Sequence, residues 1–68
     1  MTQCERVLKY MQDFGSINPQ QAMKDLGVMR LAARIADLKK AGYKITRHSA
    51  PGRNRYDEKV IFAEYRLE

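Results

Sequence analysis

The sequence predicts an α+β fold in a single domain, residues 1–68, with three helices, a short strand between the first two, and a β-hairpin at the end. Apolar residues recur at helical spacing in three segments before Gly42, and a glycine closes each segment. After Gly42 the chain is rich in β-branched and aromatic residues. The chain is therefore expected to have a helical part followed by a hairpin.

The first helix is predicted from Gln3 to Phe14. Thr2 and Glu5 match a capping box, in which each side chain bonds the other residue's backbone amide. Gly15 is placed to end the helix in a left-handed conformation. The stripe expected to face the core consists of Cys4, Val7, Leu8, Met11 and Phe14.

The second helix is predicted to follow a bridging strand at Ser16-Ile17. Asn18 can cap it, Pro19 suits its first position, and Gln21 completes a second capping box. Gly27 ends the helix after about two turns. Its expected buried side is Ala22, Met23 and Leu26.

The third helix is predicted from Met29 to Ala41. Leu31, Ile35 and Leu38 recur at offsets 0, 4 and 7, which places them on one face. Lys39 and Lys40 in the last turn suit the negative end of the helix dipole.

The β-prone segments are Tyr43–Arg47 and Val60–Leu67, with two turn signals between them. A tip at Pro51-Gly52 would leave the last strand much longer than its partner. A tip at Asp57-Glu58 gives more equal strands but requires a bulge at Pro51, and we favour it. Either tip places Arg53, Arg55 and Lys59 near the end of the hairpin.

The net charge of +5 is distributed unevenly. Residues 1–29 sum to zero, whereas residues 30–66 carry ten basic and four acidic groups. Such an asymmetry favours a polyanionic partner. A solvated basic surface without a partner explains the charge equally well.

This order of elements is that of a winged helix-turn-helix, in which the third helix enters the major groove of DNA. Its outward face is predicted to carry Arg30, Ala33, Arg34 and Asp37. Small Ala33 would let the helix sit deep, and the two arginines can pair with guanine or phosphate. Asp37 is expected to orient Arg34 rather than contact DNA.

The hairpin, or wing, is predicted to contact the DNA backbone or the minor groove. Lys40 and Lys44 can reach the backbone from the end of the third helix. The acidic pair Asp57-Glu58 opposes this interpretation, and a hairpin kept soluble by charge is the alternative. The candidate wing residues are Arg47, Arg53, Asn54, Arg55 and Lys59.

The segments Met29–Tyr43, Asn54–Tyr56 and Tyr65–Leu67 resemble small winged helix-turn-helix proteins of bacteriophages and prophages. The resemblance covers nearly the whole chain and implies DNA binding. This chain departs from the pattern in lacking a Ser or Thr cap at the third helix and in carrying Asp57 where such hairpins commonly have glycine.

Composition disfavours other classes. With one cysteine, Cys4, and one histidine, His48, the chain offers no internal disulfide, zinc site or usual nucleophile–base pair. Neither an enzyme nor a cofactor or metal is expected, and Cys4 is assigned to the core. The absence of a signal-type N-terminus and of a long apolar run predicts a cytoplasmic protein without a membrane partner.

The main hypothesis is a double-stranded DNA-binding protein, either a transcriptional regulator or an excisionase-like accessory factor. The alternative is a phage-encoded inhibitor that binds a host nucleic-acid enzyme or defence protein through the same frame. Because one copy of this size covers few base pairs, a specific target is expected to need a homodimer or tandem sites.

Overall fold

The computed structural model describes all 68 residues and has the predicted α+β architecture. The helices are α1 (Gln3–Phe14), α2 (Pro19–Leu26) and α3 (Leu31–Lys40). The strands are β1 (Ser16–Ile17), β2 (Ile45–Arg53) and β3 (Lys59–Leu67). Three helices thus precede a hairpin, and β1 joins that hairpin as a third strand.

The first two helices begin at complete capping boxes. Thr2 accepts a hydrogen bond from the Glu5 amide at 3.1 Å, and the Glu5 carboxylate accepts from the Thr2 amide at 2.9 Å. These bonds with Thr2 lower the pKa of Glu5. Asn18 and Gln21 form the equivalent box on α2. Gly15 and Gly27 end the two helices with φ of +86° and +69°, which glycine adopts without strain.

The third helix begins without a side-chain cap. Arg30 is its N-cap residue and makes no capping hydrogen bond. The helix therefore begins at Leu31, two residues after the predicted start, and Met29 is 82% exposed. Packing of Leu31, Ile35 and Leu38 in the core, rather than a local start signal, holds this segment as a helix.

The sheet is antiparallel with the order β1-β3-β2. Ile17 pairs with Tyr65, and the hairpin runs in unbroken register from Ile45–Leu67 to Arg53–Lys59. One face of its base packs against the helices through Ile45, Tyr65 and Leu67. Every element contributes to the core, which consists of Val7, Met11, Ile17, Ala22, Val28, Leu31, Ile35, Leu38, Ile45 and Tyr65.

Two predicted core residues lie at the surface. Phe14 is 70% exposed because, as the last residue of α1, it packs its ring against Tyr10 at the rim of the core. Met23 is 56% exposed because it follows Ala22 by one residue, about 100° around a two-turn helix. Only Ala22 of α2 is fully buried.

The hairpin tip differs from both predicted positions. The loop runs from Asn54 to Glu58, so Asp57 and Glu58 end it rather than form its apex, and Pro51-Gly52 lies inside β2. The expected bulge at Pro51 is absent because Pro51 pairs in register with Ile61.

Pro51 fits a regular strand because β2 is at the edge of the sheet. The Asn54 amide bonds the Glu58 carbonyl, and the Glu68 amide bonds the Lys44 carbonyl. Since such pairs alternate, even-numbered residues of β2 point their backbone groups at β3. The nitrogen of Pro51 points outward, where no ladder bond is required.

No helix of the structure has the length and apolar character needed to cross a membrane.

Candidate nucleic-acid interface

The outward surface of α3 combines small residues with the charged side chains of Asp37, Lys39 and Lys40. Leu31, Ile35 and Leu38 face the core, which leaves Ala32 and Ala36 exposed and Ala33 half-buried on the other side. Lys39 and Lys40 are exposed in the last turn. Neither Ala32 nor Ala36 was a predicted site residue, although a helical projection from the three core positions places Ala36 outward and Ala32 at the side of the helix.

Arg34 does not point away from the molecule as predicted. One guanidinium nitrogen lies 3.1 Å from a carboxylate oxygen of Asp37, and another donates to the Gln3 side chain at 3.2 Å. The side chain is only 29% exposed. Its Nε is buried without a hydrogen-bond partner. Arg34 therefore lies along the contact between α3 and α1, and the expected pairing with Asp37 is present.

Cys4 lies in the same contact. Its thiol is 3.9 Å from a carboxylate oxygen of Asp37 and packs partly against the core. This position agrees with its assignment to the core.

Arg30 is the exposed cation at the start of α3 and forms no ion pair. The neighbouring Met29 is also exposed. The N-terminal end of α3 therefore presents one free guanidinium beside an apolar side chain.

The wing tip is ordered by Asn54. Its side-chain oxygen accepts hydrogen bonds from the amides of Tyr56 at 2.9 Å and Glu58 at 3.1 Å. Its side-chain nitrogen donates to the Glu58 carboxylate at 3.2 Å. Asparagine commonly forms such turns by bonding nearby backbone amides. The structure thus gives this predicted DNA contact an architectural role.

The two acidic residues of the tip are both engaged by neighbours. The Asp57 carboxylate lies 3.5 Å from Arg53, whose guanidinium also donates to the Asp57 carbonyl at 2.8 Å. Asp57 adopts a φ of +62°, which aspartate tolerates better than most residues. The side chains left free at the apex are Arg55 and Tyr56, and Tyr56 is 81% exposed.

Three wing cations share the face that packs on the helices. Residues paired across an antiparallel sheet lie on the same face. Arg47 pairs with Tyr65, whose side chain is in the core. Arg53 pairs with Lys59, and each lies an even number of residues along its strand from Arg47 or Tyr65, so both are on the same face. Arg66 lies on the opposite face and bonds Glu64 at 2.8 Å. The helix side of the wing is therefore its basic side.

Most basic groups of this half are free. Of the ten in residues 30–66, only Arg34, Arg53 and Arg66 make ion pairs. The other seven are exposed: Arg30, Lys39, Lys40, Lys44, Arg47, Arg55 and Lys59. Among the predicted site residues, Arg30, Lys40, Lys44, Arg47, Arg55 and Lys59 can receive an anion without losing an internal partner.

Three helices, a β1-β3-β2 sheet and a basic hairpin define a winged helix-turn-helix protein. A comparison with protein families agrees: residues 2–67 match the family described as "Winged helix-turn-helix domain", and the chain belongs to it. This fold indicates DNA binding. Searches of curated proteins and of solved structures found no match to the chain.

Proposed function

We propose that this protein binds double-stranded DNA in the cytoplasm, as a phage-type transcriptional regulator or an excisionase-like accessory factor, and has no catalytic role. In this proposal α3 enters the major groove and the wing contacts the backbone. The observation that carries it is the set of seven unpaired cations on α3, on the residues that flank it and on the wing. Over the same region the acidic groups of the wing tip are bonded to Arg53 and Asn54.

The proposed role of α3 follows from its shape. Ala32, Ala33 and Ala36 form a narrow outward surface, which allows the helix backbone to approach the base edges closely. Alanine can contact the methyl group of thymine, whereas an arginine fork can bond guanine or phosphate. We therefore assign groove contacts to Ala33 and Arg30, and a positioning role to Arg34.

The proposed role of the remaining cations is to bind phosphates. Lys40 and Lys44 follow the end of α3, and Arg47 and Lys59 are on the helix side of the wing. Arg55 extends this set to the apex. Arg53 and Asn54 hold the tip in shape, since both are bonded within it.

The test is fluorescence anisotropy with a mixed-sequence duplex over a series of salt concentrations. Neutralising about five phosphates predicts that log affinity falls with log salt at a slope of about −4 to −5. Replacing Arg55 and Lys59 with alanine should flatten the slope by about 2, because two phosphate contacts are lost.

Arg66→Ala is the matched control, since it removes an arginine from the same sheet but from the opposite face. Its slope should equal that of the unsubstituted protein. A chain that fails to bind duplex even at low salt would contradict the proposal and would favour the protein-inhibitor hypothesis.

A further inference from the structure

DNA binding leaves one surface of the helical half without a role. A shallow groove between α1 and α2, which we call the α1–α2 groove, is lined by eight residues, among them Arg6, Lys9, Tyr10, Asp13, Phe14 and Asp25. Phe14 is largely exposed there although it is among the most apolar residues of the chain. Single exposed apolar residues are common, but this one is part of an ordered cluster.

The aromatic side chains of the α1–α2 groove are held in place. The rings of Tyr10 and Phe14 have centroids 4.7 Å apart and are tilted by 47°. The Tyr10 hydroxyl donates a hydrogen bond of 2.8 Å to Asp25 on α2. A preformed aromatic surface loses little conformational entropy when a partner covers it.

The charges along this face of α1 are arranged so that two copies of the helix can form ion pairs with each other. Arg6 lies about 6 Å before Tyr10 along the helix axis, and Asp13 lies about 4.5 Å after it. Arg6 makes no ion pair, whereas Asp13 is bonded to Lys9 at 3.2 Å. When two copies of α1 meet antiparallel across a two-fold axis, the Arg6 end of each helix lies opposite the Asp13 end of the other. The contact therefore contains two equivalent pairs of opposite charge.

We propose that the α1–α2 groove binds a second copy of this chain, with the two α1 helices antiparallel and the two-fold axis near Tyr10. Arg6 of each copy then faces Asp13 of the other, the two Tyr10 rings meet at the centre, and each Phe14 flanks them at the end of the contact. The interface forms an isologous homodimer.

Two observations favour a second copy over a different partner. Residues 1–29 have no net charge, so two copies with a charge of +5 each can approach through this side with the least repulsion. The second observation is the charge pattern of α1, since Arg6 and Asp13 of one copy are placed to meet Asp13 and Arg6 of another.

The experiment is sedimentation equilibrium of the full chain without DNA, from micromolar to millimolar concentration. The unsubstituted protein should self-associate. Arg6→Asp and Asp13→Arg should each weaken association by about tenfold or more, because each places two like-charge contacts in the symmetric interface. Combining the two substitutions should restore association, since the ion pairs form again with reversed polarity.

Folding does not obscure this result. The combined Arg6→Asp and Asp13→Arg substitutions place an acidic group toward the start of α1 and a basic group toward its end, which suits the helix dipole. The helix is therefore expected to persist by circular dichroism. Phe14→Lys, which places a cation beside the partner's Arg6, should abolish association, whereas Ile61→Lys, at a similarly exposed residue of the wing, should not.

A chain that stays monomeric at every concentration would overturn the proposal, as would a double variant that remains as weak as the single ones. Because this experiment contains no DNA, its result tests the dimer alone, and the proposal of duplex binding is tested separately by anisotropy.

Discussion

The two parts of the proposed DNA-contacting surface are held in different ways. α3 is held by three buried side chains, Leu31, Ile35 and Leu38. The outer half of the wing has no fully buried residue between Arg47 and Glu64 and depends on its own turn. The proposed surface therefore combines a helix fixed by the core with a hairpin tip stabilised by local bonds. Substitutions in α3 should destabilise the whole domain, whereas substitutions in the wing should loosen only the hairpin.

Both parts contain an arginine–aspartate pair, but the pairs have opposite consequences. In α3, Asp37 helps to hold Arg34 against α1 and so removes a cation from the outward surface. In the wing, Arg53 neutralises Asp57 and leaves the apex to Arg55 and Tyr56. The same type of ion pair thus lowers the number of available cations on α3 and neutralises an acidic residue at the tip of the wing.

Ile35→Ala should have the largest effect because it removes a side chain from the centre of the core. We expect the free energy of unfolding to fall by about 2–5 kcal/mol, which is a large share of the stability of so small a domain. Urea denaturation measures the change. Ile61→Ala, at the exposed end of the wing, is the control and should change stability by less than about 0.5 kcal/mol.

Gly52→Ala should disrupt the wing more than the helices. A Cβ at residue 52 would overlap the ring of Phe62, which lies across the glycine. We expect a loss of about 1–3 kcal/mol and faster hydrogen exchange confined to β2 and β3. In a Phe62→Ala background the same substitution should cost much less, and an equal cost in both backgrounds would disprove the steric explanation.

Asn54→Ala should loosen the tip without removing a charge. Loss of its side-chain hydrogen bonds should cost about 1 kcal/mol. Duplex affinity should fall while the salt slope is unchanged, because the number of phosphate contacts is the same. Asn54→Asp retains the acceptor for the Tyr56 and Glu58 amides and should keep more of the stability.

Asp57→Asn and Asp37→Asn compare the two ion pairs directly. Asp57→Asn removes a negative charge from the wing and leaves Arg53 bonded only to the backbone carbonyl of residue 57, so duplex affinity should rise and the salt slope should steepen by up to about 1. Asparagine also tolerates the positive φ at this position. Asp37→Asn should have the smaller effect because Arg34 still bonds Gln3 and its side chain is only 29% exposed, against 54% for Arg53. Equal effects would show that the two pairs are equivalent.

The smallest effect concerns alkaline pH. The hydrogen bond to Asp25 raises the pKa of Tyr10 above the usual tyrosine value. Because the pKa is higher in the folded state, the protonated tyrosine stabilises the fold at every pH below the unfolded-state pKa. This stabilisation is lost as the pH rises through the folded-state pKa. Tyr10→Phe should remove this loss in denaturation measured between about pH 9 and pH 12.

The sequence predicted the elements best where local signals were complete. Capping boxes and glycines correctly bounded α1 and α2, whereas the start of α3 was two residues early because no cap marks it. The wing tip fell between two turn signals, since Asn54 orders a five-residue loop that neither signal describes.

The orientation of the candidate site residues was harder to predict. The periodicity of α3 identified its core face but did not show that Arg34 lies against Gln3 of α1, which depends on how the two helices pack. Likewise, the pairing of Asp57 with Arg53 depends on a positive φ that residue spacing does not reveal. The unpaired cations, in contrast, were nearly all identified from sequence.

The outward nitrogen of Pro51 has a consequence for the behaviour of the protein in a crowded solution. An exposed edge strand is a template on which other chains can add as further strands and start an aggregate. Pro51 interrupts the outward row of amide donors at the middle of the wing, and the neighbouring Arg47 and Arg53 carry like charges. A hairpin that we propose stays exposed for DNA contact thereby carries features that disfavour the addition of further strands from other chains.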